Sequence, residues 1–159
     1  MSTGPTSPGA AGDEPAFVHR RTITWGDTDP ARMAYTGRFS DFMLEAIEAW
    51  FRARLDTDWY RLNIDEGMGT PFVSIAMDFK SPVTPRESLD IAVRVARVGT
   101  SSLSFAIEAL GADTRRLCFT GSATCVFVDG QRLKPIPIPD KYRDRLARPR
   151  REGERDPQW

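Results

Sequence analysis

The chain has 159 residues, 40 % hydrophobic and 28 % charged, enough for one domain with a single buried core. Its 22 basic and 22 acidic residues cancel, which removes any global electrostatic case for nucleic acid, and no apolar run approaches the ~20 residues of a membrane helix. Cys118 and Cys125 form no CxxC motif and His19 is the single histidine, so the composition predicts free buried thiols in a cytoplasmic protein and no metal site.

Residues 1–16 are rich in Gly, Ser, Pro and Ala and lack the charged start and apolar core of a signal peptide, which predicts a disordered leader. Phe17 to Thr24 alternates and predicts a strand. Gly37 to Arg54 predicts a helix, because Phe39, Phe42, Met43, Ala46, Ile47 and Trp50 recur at helical spacing as one apolar stripe. Its length, roughly 27 Å, is enough to cross a sheet. Leu55 to Met68 is mixed and polar, a short second helix or lid ending at Gly67 and Gly69.

Four alternating segments follow. Val73, Ile75, Met77 and Phe79 are expected on one face, as are Leu89, Ile91, Val93 and Val95, with Arg94 opposite. Leu103, Phe105, Ile107 and Ala109 repeat the pattern against Ser104 and Glu108, and Phe119, Gly121, Ala123, Cys125 and Phe127 form the longest set. Gly99-Thr100 and Gly111-Ala112-Asp113 punctuate them as hairpin turns. Pro135, Pro137 and Pro139 end the last strand, Asp140 to Arg148 adds a helical turn, and residues 149–159 read as a flexible tail. One strand, one helix and then four strands cannot be a doubly wound sheet, which needs repeated βα alternation. The order fits an α+β domain over residues 17–148: an antiparallel sheet of about five strands wrapped around one long central helix.

The chemistry-bearing stretch is Trp25-Gly26-Asp27-Thr28-Asp29-Pro30, two carboxylates one residue apart between the first strand and the helix. Asp and Pro are favoured in turns for backbone reasons alone, so the run is a turn on one reading. On the other, the next element starts at about Thr36 and Asp29 lies beside a helix N-terminus, where free N–H groups stabilise developing negative charge. A carboxylate facing an oxyanion site is the minimum equipment for hydrolysing an activated acyl group.

Asp27-Thr28-Asp29-Pro30-Ala31, Met33-Ala34-Tyr35 and Arg38-Phe39-Ser40-Asp41-Phe42 resemble the signature of the 4-hydroxybenzoyl-CoA thioesterase family, which has the hotdog fold. Phe79-Lys80-Ser81-Pro82 with Leu89-Asp90-Ile91, and Val98 to Phe105, resemble its later strands and hairpin, so the likeness covers about residues 17–147. It implies an acyl-CoA thioesterase in which Asp29 is the base or nucleophile and the backbone N–H of Thr36 is the oxyanion donor. Asp27 and Tyr35 would support them. Thr36 replaces the Tyr or His of many relatives; a main-chain donor survives that change, but the aromatic acyl specificity is not carried over with it. Arg97, Thr100, Ser101 and Ser102 would hold the pantetheine arm or phosphates of CoA, which enters as part of the substrate with no other cofactor. The resemblance also implies a homo-oligomer, a dimer or tetramer of hotdog subunits, with the site across the dimer interface.

Glu45 on the predicted helix is expected to be solvated or paired, and His19 to be an exposed strand histidine; neither supplies the histidine that hotdog hydratases use. Lys141, Arg143, Arg145, Arg148, Arg150 and Arg151 make a basic C-terminal stretch, read as a solvated terminus. Two rival functions remain open at this point, hydrolysis of acyl-carrier-protein thioesters and non-catalytic acyl binding.

Overall fold

The structure is a computed structural model describing residues 16–148. The expected tail and all of the expected leader except Ala16 lie outside the described residues. Strand β1 (Phe17–Thr22) stops two residues short of expectation, because Trp25–Asp27 winds into a 3-10 turn. A second 3-10 turn, Thr36–Arg38, runs directly into helix α1 (Phe39–Trp50), which widens into a π-helical turn at Phe51–Leu55. Asp56 adopts the left-handed conformation, φ 54°, and ends the helix.

The stripe read from the sequence is the buried face of α1. Phe39, Phe42, Met43, Ala46, Ile47 and Trp50 are all at most 5 % exposed, and burying each large side chain stabilises the fold by roughly 1.5–3 kcal/mol. They pack on an antiparallel sheet of β3 (Phe72–Phe79), β4 (Ser88–Val98), β5 (Ser102–Gly111), β6 (Leu117–Val126) and β1, in the order β1-β4-β5-β6-β3. Trp50 meets Phe105 edge-on at 5.0 Å, and Phe39 meets Phe119 at 5.6 Å and Phe79 at 5.1 Å. Gly121 on β6 lets the helix come close: a Cβ there would sit 3.1 Å from Met43 Sδ and 3.0 Å from the Ala76 carbonyl. A five-stranded sheet wrapped on one central helix is the hotdog arrangement.

Several details depart from the sequence reading. Leu55 to Met68 holds a π-helical turn at Arg61–Asp65 rather than an ordinary helix. It leads into a two-residue strand, β2 (Met68–Gly69), that pairs with β7 (Val128–Asp129) as a small second sheet. Helix α2 (Asp140–Ala147) is longer than the single turn expected. Val73 does not share the face of its neighbours, because the register shifts between Phe72 and Ser74. Ile75, Met77 and Phe79 oppose Ala123, Gly121 and Phe119 and face the helix side, yet β3 is an edge strand and Val73, Ile75 and Phe79 stay 65 %, 43 % and 50 % exposed. Both cysteines are buried and free, and burial pushes the Cys125 thiol up to about 12. No helix among the described residues is long and apolar enough to cross a membrane.

Candidate active site

Asp27 is the anchor from which the loop is built. Its carboxylate is fully buried. Oδ2 accepts the Thr24 amide and the Thr24 hydroxyl, each at 2.8 Å, and Oδ1 accepts Arg21 Nη2 at 3.0 Å, with Arg38 Nη2 at 3.4 Å. Burial pushes this carboxyl up, but the Thr24 and Arg21 hydrogen bonds outweigh it and hold it below the usual carboxylate range. The Asp27 carbonyl in turn accepts the Tyr35 amide at 2.8 Å, Thr28 bridges to Ala34, and the Ala34 amide reaches Val83 O at 2.8 Å. The loop is therefore pinched shut at its neck and tied to the sheet.

Asp29 sits just past that neck, half-buried. Its Oδ1 accepts the Ala31 amide at 2.8 Å, its carbonyl accepts the Arg32 amide at 3.0 Å, and its own amide donates to Met33 O at 3.1 Å. Arg32 takes the left-handed conformation, φ 61°, to close this turn. Asp29 Oδ2 has no hydrogen-bond partner among the described residues. The turn reading is what the backbone shows: Asp29 forms an Asx turn with Ala31, and seven residues after Asp29 the 3-10 turn that opens α1 begins. Thr36 is the first residue of that turn, where an amide has no intrahelical acceptor, and its N–H finds no other among the described residues. Tyr35 is 55 % exposed and its ring covers Gly37, where a Cβ would come within 2.6 Å of Cε1.

Arg21 was not singled out from the sequence, although a cation at an inward position of a strand was the available signal. It stands on β1 opposite buried Leu89, donates to Asp27, pairs with Glu45 at 2.9 Å, bonds the Thr22 carbonyl, and lies 4.7 Å from the centre of the Phe42 ring. Glu45 is accordingly paired. His19 faces the same side, opposite Ile91, and is half-buried rather than exposed. Burial pushes its pKa down, against the opposing pull of Glu45.

The expected CoA residues lie elsewhere. Thr22 pairs with Ser88, which puts the Asp27–Thr36 loop at the beginning of β4, whereas Arg97 and the turn Gly99–Ser102 lie at its end. Ten steps along a strand separate the two, roughly 33 Å. Within one chain the structure does not bring Asp29 and Thr100, Ser101 or Ser102 together. Arg97 is exposed, on the same outer face as Ser104, and Thr100 is exposed. At the turn's end of the sheet a cavity of about 410 Å³ opens between α1 and the start of β3, walled by Leu44, Trp59, Asn63, Thr70, Phe72 and Leu133. Trp59 Nε1 is buried there without an acceptor among the described residues. Two cations of the basic stretch dock α2 through carboxylates: Lys141 pairs with Glu66 at 2.6 Å and Arg145 with Asp56 at 3.3 Å. Among the described residues, no group of three His, Cys, Asp or Glu is placed to hold a metal ion.

A sequence profile of the thioesterase-like superfamily matches residues 23–146. A thioesterase-superfamily structure from Jannaschia sp. CCS1 is 43 % identical, covers 91 % of this chain and 94 % of its own, and superposes with a TM-score of 0.75. A 1,4-dihydroxy-2-naphthoyl-CoA hydrolase of Picosynechococcus sp. is 34 % identical over 76 residues, 48 % of this chain; the match spans about half, 51 %, of that relative's length. A 1,4-dihydroxy-2-naphthoyl-CoA thioesterase from Synechocystis, 20 % identical over 83 % of this chain and 96 % of its own, shares the fold with a TM-score of 0.77.

Proposed function

The chain belongs to the thioesterase-like superfamily, and from that premise we propose that it hydrolyses acyl-CoA thioesters to a free acid and CoA. The observation that carries the reading is Asp29: a carboxylate with one oxygen fixed by the Ala31 amide and the other without a partner among the described residues, in a loop that leads into a Thr36 amide likewise without an acceptor among them. In this scheme the Thr36 N–H receives the thioester oxygen as it becomes an oxyanion. Asp29 either takes a proton from the attacking water or attacks the carbonyl carbon itself, forming an anhydride that water then opens. Either way the C–S bond breaks, the acyl carbon gains one oxygen from water, and the thiolate of CoA leaves and is protonated. Asp27 takes no part in the bond changes; it holds the loop. No metal or organic cofactor enters this scheme.

The separation of Asp29 from the turn Gly99–Ser102 supports a site shared between two copies. Strand β3 has one unpaired edge and carries exposed Val73, Ile75 and Phe79, an edge that a second strand would cover. Antiparallel pairing of β3 with β3 of a second copy sets the Phe72 end of one chain beside the Phe79 end of the other. The cavity and CoA turn of one subunit then stand next to Asp29 and Thr36 of its partner, and two equivalent sites arise per dimer. The cavity's walls of Leu44, Trp59, Phe72 and Leu133 suit a compact, largely apolar acyl group, aromatic or aliphatic.

Thiol release from a panel of aromatic, branched and straight-chain acyl-CoA thioesters tests the reading. Turnover that depends on Asp29 is the expected result. Tight acyl-CoA binding with no release on any member would leave only an acyl-binding subunit.

A further inference from the structure

The turn between β4 and β5 is tied down from one side. Its Gly99 amide donates to Ser102 O at 2.8 Å, and Ser101 O accepts the Phe127 amide at 2.8 Å. Thr100 O accepts both the Ile138 amide at 2.8 Å and Arg143 Nη2 at 2.9 Å, and the same Nη2 reaches Gly99 O at 3.0 Å. The Ser102 hydroxyl folds over Gly99, where a Cβ would collide with it. All four carbonyls from Gly99 to Ser102 are thus engaged, while the amides of Thr100 and Ser101 have no acceptor among the described residues. Backbone whose carbonyls are drawn to one side offers its successive N–H groups to the other, an arrangement that receives anions. Arg143 itself is half-buried and has no carboxylate partner among the described residues. An uncompensated guanidinium beside two free amides favours an anion again.

We propose that Arg143, on α2, is a positioning residue for CoA recognition: it fixes the turn Gly99–Ser102 so that the Thr100 and Ser101 amides meet a phosphate of the CoA moiety. This rests on the acyl-CoA hydrolase reading. Both bonds come from the one nitrogen Nη2, so a lysine ammonium can replace them in part, limited by its shorter reach and the loss of the planar group.

The test compares Arg143→Ala, Arg143→Gln and Arg143→Lys with the unsubstituted enzyme on one acyl group carried by CoA, by dephospho-CoA and by N-acetylcysteamine. The expected result is a KM for acyl-CoA raised roughly 10-fold in Arg143→Ala, with kcat within about two-fold. Part of the loss is recovered in Arg143→Lys. The penalty vanishes on the N-acetylcysteamine thioester, which has no phosphate. If it persists on dephospho-CoA the phosphate is in the diphosphate bridge, and if it disappears it is the 3′-phosphate. Should Arg143→Ala fold poorly, as read by its unfolding midpoint, Arg143→Gln carries the comparison. Equal losses on the CoA and N-acetylcysteamine thioesters, or no loss on either, overturn the proposal. No hydrolysis of any thioester by the unsubstituted enzyme overturns the hydrolase reading instead.

Discussion

Arg21 of the edge strand donates to the fully buried carboxylate of Asp27 at 3.0 Å, and that contact joins the sheet to the loop carrying Asp29. Arg21 is itself only 18 % exposed at its side chain and holds Glu45 with its other edge. Arg21→Met removes the main guanidinium partner of a buried charge and leaves Thr24, with Arg38 more distant. The expected cost is roughly 2–4 kcal/mol, read as a lower urea midpoint with unchanged slope. A midpoint within experimental error of the original would mean that the contact is not structural.

Asp29→Asn is nearly isosteric and keeps the Ala31 hydrogen bond, because the amide oxygen can replace Oδ1. The fold should be retained while kcat falls at least ~10²-fold, the usual scale for general acid–base catalysis. Asp27→Asn should do the reverse, costing stability before turnover. Wild-type turnover in folded Asp29→Asn would remove Asp29 from the mechanism.

Thr36→Pro deletes the proposed oxyanion donor and Thr36→Ala keeps it. Proline fits the first residue of a helical turn, and Tyr35 before it already has the extended backbone, ψ 130°, that proline requires. Activity should drop ~10²–10³-fold in the proline variant and little in the alanine one. Equal inactivation of both would shift the role to the side chain.

Acid stability follows from the depressed carboxyl of Asp27. Its folded pKa lies below the ordinary value near 4, so as the pH falls the unfolded chain takes up this proton first. The stabilisation is fully present above about pH 5 and is lost as the pH drops through the depressed value. Urea midpoints measured from neutral pH down to about 2.5 should therefore show the gap between the original protein and Asp27→Asn closing below about pH 4. A gap independent of pH would contradict it.

A shared site predicts complementation. Asp29→Asn lacks the carboxylate, and Leu44→Lys fills the cavity with a helix-tolerant charged chain. Refolded together in equal amounts, they form mixed dimers in which one site unites Asp29 of one chain with Leu44 of the other. Activity should return to about a quarter of the original, since half the dimers are mixed and each has one intact site. No recovery would place the whole site within one chain.

The central helix, the β-strand alternation and the Asp29 loop were legible in the sequence because each depends on local periodicity or turn chemistry. Phe39 to Trp50 repeats at helical spacing wherever the helix packs, and Asp29-Pro30 shapes its own turn through the Ala31 amide. The likeness of residues 27–42 to a known signature carried the choice of catalytic carboxylate. Strand order was not legible: β3 comes first of the four later strands yet pairs with β6 and ends at an edge, which leaves Ile75 and Phe79 of its apolar face partly exposed. The roles of Arg21 and Arg143 were hidden for the same reason. Each acts on partners brought near by folding, Arg21 on Glu45 from strand to helix and Arg143 on Thr100 across 43 residues of chain. Sequence alone determined the long helix, the main strands and the turn that carries Asp29, since those depend on neighbours a few residues away. Only the tertiary structure decided that Asp27 is an anchor, that β3 is an open edge, and that Asp29 and the turn Gly99–Ser102 occupy opposite ends of the sheet, because burial and pairing are set by contacts between distant residues.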